Sequence, residues 1–219
     1  MTINPNNLIP ISTINDTLMI KSSRVIQWMT TIRECPPGAR YRILENFWES
    51  QIRSKCWLVN SIKKHLPALT GRVYVIGGWY GILSQLIVDN FPTIVYNVDI
   101  DDSCIKYGKL LSNDDSRIQF ITNDMAKFNK YVDAKLIINT STEHVTEEKY
   151  NEWFSGLPEN VPIVVQGNDF HECEDHIRTT ESLDEFNRVS LLRTIIYSDK
   201  IECPGVGKPF HRFMTIGYK

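Results

Sequence analysis

The sequence predicts an α/β fold, a doubly wound sheet of seven strands in which strand 7 is antiparallel, preceded by an N-terminal helical extension. From residue 72 onward, short apolar runs alternate with stretches whose apolar residues recur at helical spacing, which is typical of a parallel sheet covered by helices. Only six residues separate the last two apolar runs, too few for a parallel crossover, so these runs form a C-terminal β-hairpin. Residues 13–32 instead carry an amphipathic helical pattern that ends at Pro36-Pro37-Gly38.

The individual elements follow from local periodicity and from helix-breaking residues. Apolar residues recur at helical spacing through 41–65, and Pro67 ends that pattern. The predicted strands are 72–76, 94–98, 118–121, 135–138, 162–165, one within 191–203, and 210–218. The predicted helices between them are 82–90, 103–111 (with Ser103 as its N-cap), 147–154 and 182–189. We therefore divide the chain into a helical extension or lid, 1–45, and one domain, 46–219.

Composition restricts the possible classes of function. The net charge is −2, so no overall attraction to nucleic acid is expected, although a local basic patch stays possible. The five cysteines are odd in number and lack Cys-x-x-Cys spacing, which favours reduced thiols in a cytoplasmic protein. The N-terminal residues lack a basic segment before an apolar one, and no apolar run approaches the ~18 residues of a membrane span. We expect a protein that does not enter the membrane.

The glycine-containing turn after the first strand is the strongest local motif. Gly77 and Gly78 have no Cβ, so a ligand can approach the backbone closely, and Gly81 lets the following helix pack against the sheet. Asp99 follows eighteen residues after Gly81, at the end of the second strand. A strand, a glycine turn, a helix and an acidic residue that accepts hydrogen bonds from ribose hydroxyls are typical of a nucleotide-binding βαβ unit in a Rossmann-like fold.

Two cofactors compete for this turn. The dinucleotide pattern Gly-x-Gly-x-x-Gly would place its first glycine at Ile76. The S-adenosylmethionine pattern, acid-x-Gly-x-Gly-x-Gly, has its outer glycines at Gly77 and Gly81, but Val75 replaces the acid and Trp79 the middle glycine. The turn alone therefore leaves both cofactors open.

Most of the chain resembles the class I S-adenosylmethionine-dependent methyltransferases. The feature that carries the resemblance is the series of seven strands whose last two form a C-terminal hairpin, and it covers roughly residues 45–219. More narrowly, the chain is similar to a subgroup of bacterial and phage methyltransferases that share five motifs. These are Ser54-Lys55-Cys56-Trp57-Leu58, Gly77-Gly78-Trp79-Tyr80-Gly81, Asn139-Thr140-Ser141-Thr142-Glu143-His144, Gln166-Gly167-Asn168-Asp169-Phe170 and Arg212-Phe213-Met214-Thr215-Ile216-Gly217.

The resemblance implies S-adenosyl-L-methionine as cofactor and a set of residues that bind it. These residues are Lys55, Gly77, Gly78, Tyr80, Gly81, Asp99, Ile100, Asp124, Met125, Asn139 and Thr140. Asp124 would accept from the adenine amino group with Met125 against the ring, a role that we favour over the alternative that Asp124 caps the next short helix. Lys55 would pair with the methionine carboxylate, although it could equally lie on a solvated helix face.

Histidines are concentrated at one edge of the predicted sheet. His144 follows the fourth strand, His171 and His176 follow the fifth, and His211 begins the antiparallel seventh, so all four belong to the ligand-binding edge. With Glu143, the catalytic candidates are His144, His171 and His176. They predict either general acid–base catalysis, which we favour for His144, or a divalent metal bound by histidine and carboxylate groups. No tight ligand motif assigns metal ligands among them.

The acceptor is predicted from absent motifs. The chain has neither Asn/Asp-Pro-Pro-Tyr nor Pro-Cys after the fourth strand, the motifs of amino and C5-cytosine methylation. A small-molecule acceptor, methylated on nitrogen or oxygen, is therefore the leading hypothesis. Methylation of RNA or DNA, and a non-catalytic scaffold acting with a partner protein, are the alternatives. The pattern predicts no oligomeric state.

Overall fold

A computed structural model describes residues 20–205 and 207–219. The seven strands are β1 Gly71–Ile76, β2 Thr93–Asp99, β3 Ile118–Thr122, β4 Ala134–Asn139, β5 Ile163–Asn168, β6 Thr194–Cys203 and β7 Phe210–Tyr218. The α-helices are α1 Ser22–Glu34, α2 Pro37–Glu45, α3 Glu49–His65, α4 Ile82–Asn90, α5 Ser103–Leu111, α6 Glu147–Ser155 and α7 Leu183–Val189. Single 3₁₀ turns lie at Met125–Lys127 and Thr142–His144.

The strands form one mixed sheet in the order β3-β2-β1-β4-β5-β7-β6. The first five strands in this order pair in parallel, whereas β7 is antiparallel to both β5 and β6. The Rossmann-like sheet of seven strands, with its antiparallel last strand and N-terminal helices, is therefore confirmed. The strand order reverses between β1 and β4, which creates a crevice beyond their carboxyl ends.

The helices cover both faces of the sheet. In β1, Val73 and Val75 pack on one face and Tyr74 and Ile76 on the other, because successive strand residues point to opposite sides. The first face is covered by α1, α3, α4 and α5, and the second by α6 and α7. No helix in the described ranges is long and apolar enough to cross a membrane.

The break at Pro36-Pro37-Gly38 is confirmed, since α1 ends at Glu34, but two details of the predicted helices differ in the structure. Pro37 does not only end a helical pattern but begins α2, because its fixed φ and missing N–H suit the first helical position. The residues 41–65 consequently form two helices rather than one. Ser103 is the first residue of α5 instead of its N-cap, which is Asp102. The part of the N-terminal helical prediction that covers 13–19 lies outside the described residues.

The described part of the extension is packed into the main core. Trp28 and Ile32 of α1 and Ile43 of α2 are buried in the same apolar cluster as Val73 of β1. Trp28 is 1% exposed and Ile43 is fully buried, so truncation of these helices would open the core. The division at residue 45 stays a prediction about function, while 20–45 packs as part of the domain.

Candidate functional site

A cavity of about 670 Å³ lies beyond the carboxyl ends of β1, β2 and β4. This volume is within the usual range of about 300–1,000 Å³ for ligand sites. The loops after β1, β2, β3 and β4 form its floor, and α2 with the start of α3 forms its upper wall. Residues that line it include Arg42, Trp48, Lys55, Gly77, Gly78, Trp79, Asp99, Ile100, Asp124, Met125, Thr140, Ser141, Glu143, His144, Asp175, His176 and Arg212.

The glycine turn forms the cavity floor through its backbone. Gly77 has φ +62° and Trp79 has φ +48°, both in the left-handed region that few side chains adopt. A Cβ at Gly78 would collide with the amide of Asn97, so only glycine fits there. Asn97 in turn donates to the carbonyl of Trp79 at 2.9 Å, which fixes the turn onto β2. The backbone of the turn is thereby left open toward the cavity.

The Asp99 carboxylate joins the turn to the end of β2. One oxygen accepts the Trp79 N–H at 2.8 Å, and the other accepts the Asp101 N–H at 3.0 Å. Each carboxylate oxygen has a second lone pair, so Asp99 can also accept from two ligand hydroxyls. Ile100 beside it is 67% exposed and offers an apolar surface to a ligand.

Asp124 and Met125 form the wall that follows β3. Asp124 is the N-cap of the 3₁₀ turn and accepts the Ala126 N–H at 3.1 Å, so the capping interpretation holds. Its other oxygen lies 3.8 Å from Lys149 Nζ, and both residues line the cavity. The sulfur of Met125 lies 3.9 Å from Asn139 Nδ2, which supports the methionine from below.

Lys55 extends from α3 into the cavity. Its Nζ donates to Gln51 Oε1 at 2.6 Å. Burial of the amino group, together with the positive charge of Arg212, lowers the pKa of Lys55 to about 7. At neutral pH the ammonium form is therefore only partly populated, and an anionic ligand would restore it.

Two of the four histidines meet in the cavity. The ring centroids of His144 and His176 are 4.9 Å apart. The Nδ1 of His144 lies 3.1 Å from the Asp175 carbonyl, and the Nδ1 of His176 lies 2.9 Å from the Phe170 carbonyl. Because a carbonyl only accepts, each Nδ1 is the donor, and the neutral form of each ring keeps its lone pair on Nε2. Burial also lowers the pKa of His176, so its ring is neutral at pH 7.

The other two histidines lie outside the cavity wall, so the expected convergence of all four is wrong. His171 pairs instead with Glu181, at 3.3 Å, and with Thr179, at 2.6 Å. His211 pairs with Asp169, at 2.8 Å. In both cases these polar partners hold the imidazole ring at the protein surface. The position of a histidine relative to a strand does not show which partner its side chain contacts.

Glu143 is the most deeply buried carboxylate of the site. It is 1% exposed, and its Oε1 accepts from Asn168 at 2.8 Å and from Arg212 Nη1 at 2.9 Å. Its backbone carbonyl accepts the Ile177 N–H at 2.9 Å, which brings the neighbouring His176 to the cluster. Its Oε2 has no hydrogen-bond partner among the described residues.

Comparisons by sequence find no matching protein-family model and no matching curated protein. The fold, however, matches solved structures. The N-methyltransferase NodS from Bradyrhizobium japonicum WM9, in complex with S-adenosyl-L-homocysteine, gives a TM-score of 0.63 at 10% identity, over 88% of this chain and 99% of that chain. The PH0226 protein from Pyrococcus horikoshii OT3 gives 0.60 at 15% identity, over 82% and 98%. An S-adenosylmethionine-dependent methyltransferase from Clostridium acetobutylicum ATCC 824 gives 0.57 at 11% identity, over 82% and 99%.

The fold is therefore one that this chain shares with solved methyltransferases. At such low identity the likeness concerns the fold alone.

Three of the residues that were predicted to bind the cofactor do not line the cavity. Tyr80 is 1% exposed, with its ring stacked on Trp79 inside the protein. Gly81 has φ +77°, and a Cβ there would lie 2.8 Å from Phe120, so its role is to start α4. Asn139 is fully buried and accepts the Ser141 N–H, which shapes the loop after β4. These three residues shape the turns that carry the wall.

Several cavity residues had no predicted role. Ser141 donates to the Gly77 carbonyl at 3.1 Å and joins the first and fourth loops. Arg212 is a buried cation within the largely apolar strand β7. A charged residue in an apolar strand could have indicated from the sequence that Arg212 has a buried partner. Arg42 and Trp48 reach the wall from α2 and the N-terminus of α3, where no strand-end argument applies.

Proposed function

We propose that the protein is an S-adenosylmethionine-dependent methyltransferase that acts on a small-molecule acceptor. One observation supports this above the others: a single cavity joins the glycine turn, Asp99 and Asp124 to the cluster of Glu143, His144 and His176. The first group suits an adenosyl cofactor and the second suits the handling of a proton. Transfer of a methyl group requires both beside each other.

The cofactor is assigned to the half of the cavity built by β1, β2 and β3. Its ribose hydroxyls donate to Asp99, its adenine lies along Asp124 and Met125, and its methionine carboxylate pairs with Lys55. Gly77 and Gly78 leave room for the backbone to approach it closely.

The acceptor is assigned to the half that contains the histidine cluster. S-adenosylmethionine bound beside this half would supply an electrophilic methyl group to a nitrogen or oxygen of the acceptor, and S-adenosylhomocysteine would be the leaving group, keeping the former carbon–sulfur bonding pair on sulfur. The acceptor loses one proton in this reaction. The direct route for it is the free Nε2 of His144, whose Nδ1 is held by the Asp175 carbonyl.

A small acceptor is favoured by the upper wall. Arg42, Glu45 and Trp48 of the N-terminal helices line the cavity, so it has a wall outside the sheet, and its volume of about 670 Å³ suits a small acceptor beside the cofactor. The net charge of −2 offers no general attraction to a polyanion. RNA or DNA and a non-catalytic scaffold role are the competing outcomes of the tests below.

Calorimetric titration tests the cofactor assignment. S-adenosylhomocysteine should bind as one molecule per chain, and NAD should bind far more weakly. Tighter binding of NAD than of S-adenosylhomocysteine would end the proposal.

A turnover screen tests the activity and the acceptor class. The protein is incubated with S-adenosylmethionine and, separately, with a metabolite extract, an RNA fraction and a DNA fraction, and release of S-adenosylhomocysteine is measured. We expect release with the metabolite fraction alone. Release with RNA or DNA would show that the proposed small-molecule acceptor is wrong. No release with any fraction, together with a stable protein partner, would favour the non-catalytic scaffold.

A further inference from the structure

We propose that Glu143, His144 and His176 bind one divalent transition-metal ion at the acceptor end of the cavity. The three side chains offer ligand atoms that all lie within 4.8 Å of one another. An ion about 2.0–2.2 Å from each ligand atom accepts separations up to roughly 4.3 Å, so small side-chain rotations suffice. The inference rests on the proposed function, because the ion is placed where the methyl acceptor would bind.

The two imidazoles are prepared as ligands. Each donates its Nδ1 proton to a backbone carbonyl, His144 to Asp175 and His176 to Phe170. Histidines that bind metals usually donate their other ring N–H in this way, which fixes the ring orientation and directs the Nε2 lone pair. Both rings line the same cavity wall.

The Glu143 carboxylate supplies an independent observation. It is 99% buried, lines the cavity, and keeps Oε1 occupied by Asn168 and Arg212. Its Oε2 has no hydrogen-bond partner within the described part of the chain, and an unpaired buried carboxylate oxygen is costly. A cation bound between Oε2 and the two imidazoles would satisfy it.

The donor set selects the kind of ion. Two imidazole nitrogens and one carboxylate favour Zn²⁺, Mn²⁺, Fe²⁺ or Co²⁺ over Mg²⁺ or Ca²⁺, which prefer oxygen ligands. Three protein ligands leave coordination positions for an oxygen or nitrogen of the acceptor, whose proton then becomes more acidic and leaves to solvent. With the ion bound, Nε2 of His144 is a ligand, and the direct route of proton transfer is closed.

Titration with the metal alone tests this site without any need for turnover. Zn²⁺ is titrated calorimetrically into the full chain after chelator treatment, and Co²⁺ binding is followed by its visible absorption. We expect one ion per chain. His144→Ala and His176→Ala should each weaken binding by at least about 100-fold, beyond the 10–100-fold effect of losing an outer-shell partner.

His171→Ala is the matched control, since His171 also has a carboxylate partner but lies outside the cavity. It should bind the ion as the wild type does. Thermal unfolding and binding of S-adenosylhomocysteine are measured for every variant, so that a misfolded variant is recognised. Should a variant misfold, Glu143→Gln, which keeps an oxygen for Asn168 and Arg212, replaces it.

Wild-type protein that binds S-adenosylhomocysteine but no ion would overturn the metal site and leave the proposed function standing. Equal ion binding by wild type and by the His144→Ala/His176→Ala double variant would also overturn it. Ion binding without S-adenosylhomocysteine binding would instead refute the proposed function.

Discussion

Cofactor binding should be coupled to protonation of Lys55. Its pKa is about 7, lowered by burial and by the nearby charge of Arg212. A bound methionine carboxylate favours the ammonium form, so binding should take up a proton whenever Lys55 starts neutral. Affinity for S-adenosylhomocysteine should therefore fall as pH rises above 7.

The size of the effect follows from the populations of the two forms. With a pKa of about 7 in the free protein, Lys55 is about half protonated at pH 7 and about 1% protonated at pH 9. If only the protonated form binds the cofactor, the affinity falls by about 50-fold over this interval. His176 does not contribute, because its lowered pKa keeps it neutral throughout this range.

The assay is calorimetric titration with S-adenosylhomocysteine at pH 7, 8 and 9. Lys55→Arg keeps its charge at every pH of the series, so the ratio of its affinity to that of wild type cancels the ionisation of the ligand itself. Lys64→Gln removes an exposed lysine of the same helix and should follow the wild-type profile. Parallel pH profiles for wild type and Lys55→Arg would refute the pairing of Lys55 with the cofactor.

Three further substitutions test other parts of the site. Asp99→Asn should weaken S-adenosylhomocysteine binding by about 1.5–3 kcal/mol through loss of charge-assisted ribose hydrogen bonds, whereas exposed Asp102→Asn should leave it unchanged in the same titration. His144→Ala should lower turnover by about 10²–10⁴-fold and spare cofactor affinity, with His171→Ala as the unaffected control; equal turnover in both variants would exclude His144 from the chemistry. Arg212→Met should lower the free energy of unfolding by about 3–5 kcal/mol in urea denaturation, because it leaves the buried Glu143 charge unpaired, and a loss below about 1 kcal/mol would contradict this.

The regular elements were predictable because their periodicity is local. The helices Ile82–Asn90 and Ser103–Leu111 and the strand Phe210–Tyr218 begin and end where the apolar pattern predicts. The start of α2 was missed because Pro37 is compatible with both a helix start and a helix end, and the packing of Ile43 into the core depends on the tertiary structure.

The site was only partly predictable from the sequence. The end of a strand predicts at which edge of the sheet a residue lies, but it does not predict where the side chain of that residue points. His176 enters the cavity because the Glu143 carbonyl holds the following backbone N–H, whereas His171, in the same loop, is held outside by Glu181. Neither contact is local in sequence. The pairing of Glu143 with Arg212 spans 69 positions and depends on the placement of β7 beside β5. Such contacts require the tertiary structure.

The position of β7 within the sheet has a consequence for the order of assembly. β6 reaches the sheet only through β7, although the ribosome makes β6 first. β1 to β5 can pair before β7 has been made, but until then β6 is unpaired and β5 is an exposed edge strand. Exposed edge strands are prone to aggregation. The loops after β1, β2 and β3 are complete once residue 125 has been made, and the loop with Thr140 follows, whereas Glu143 gains Arg212 only when β7 docks. The acceptor end of the site is therefore the last part of this protein to form.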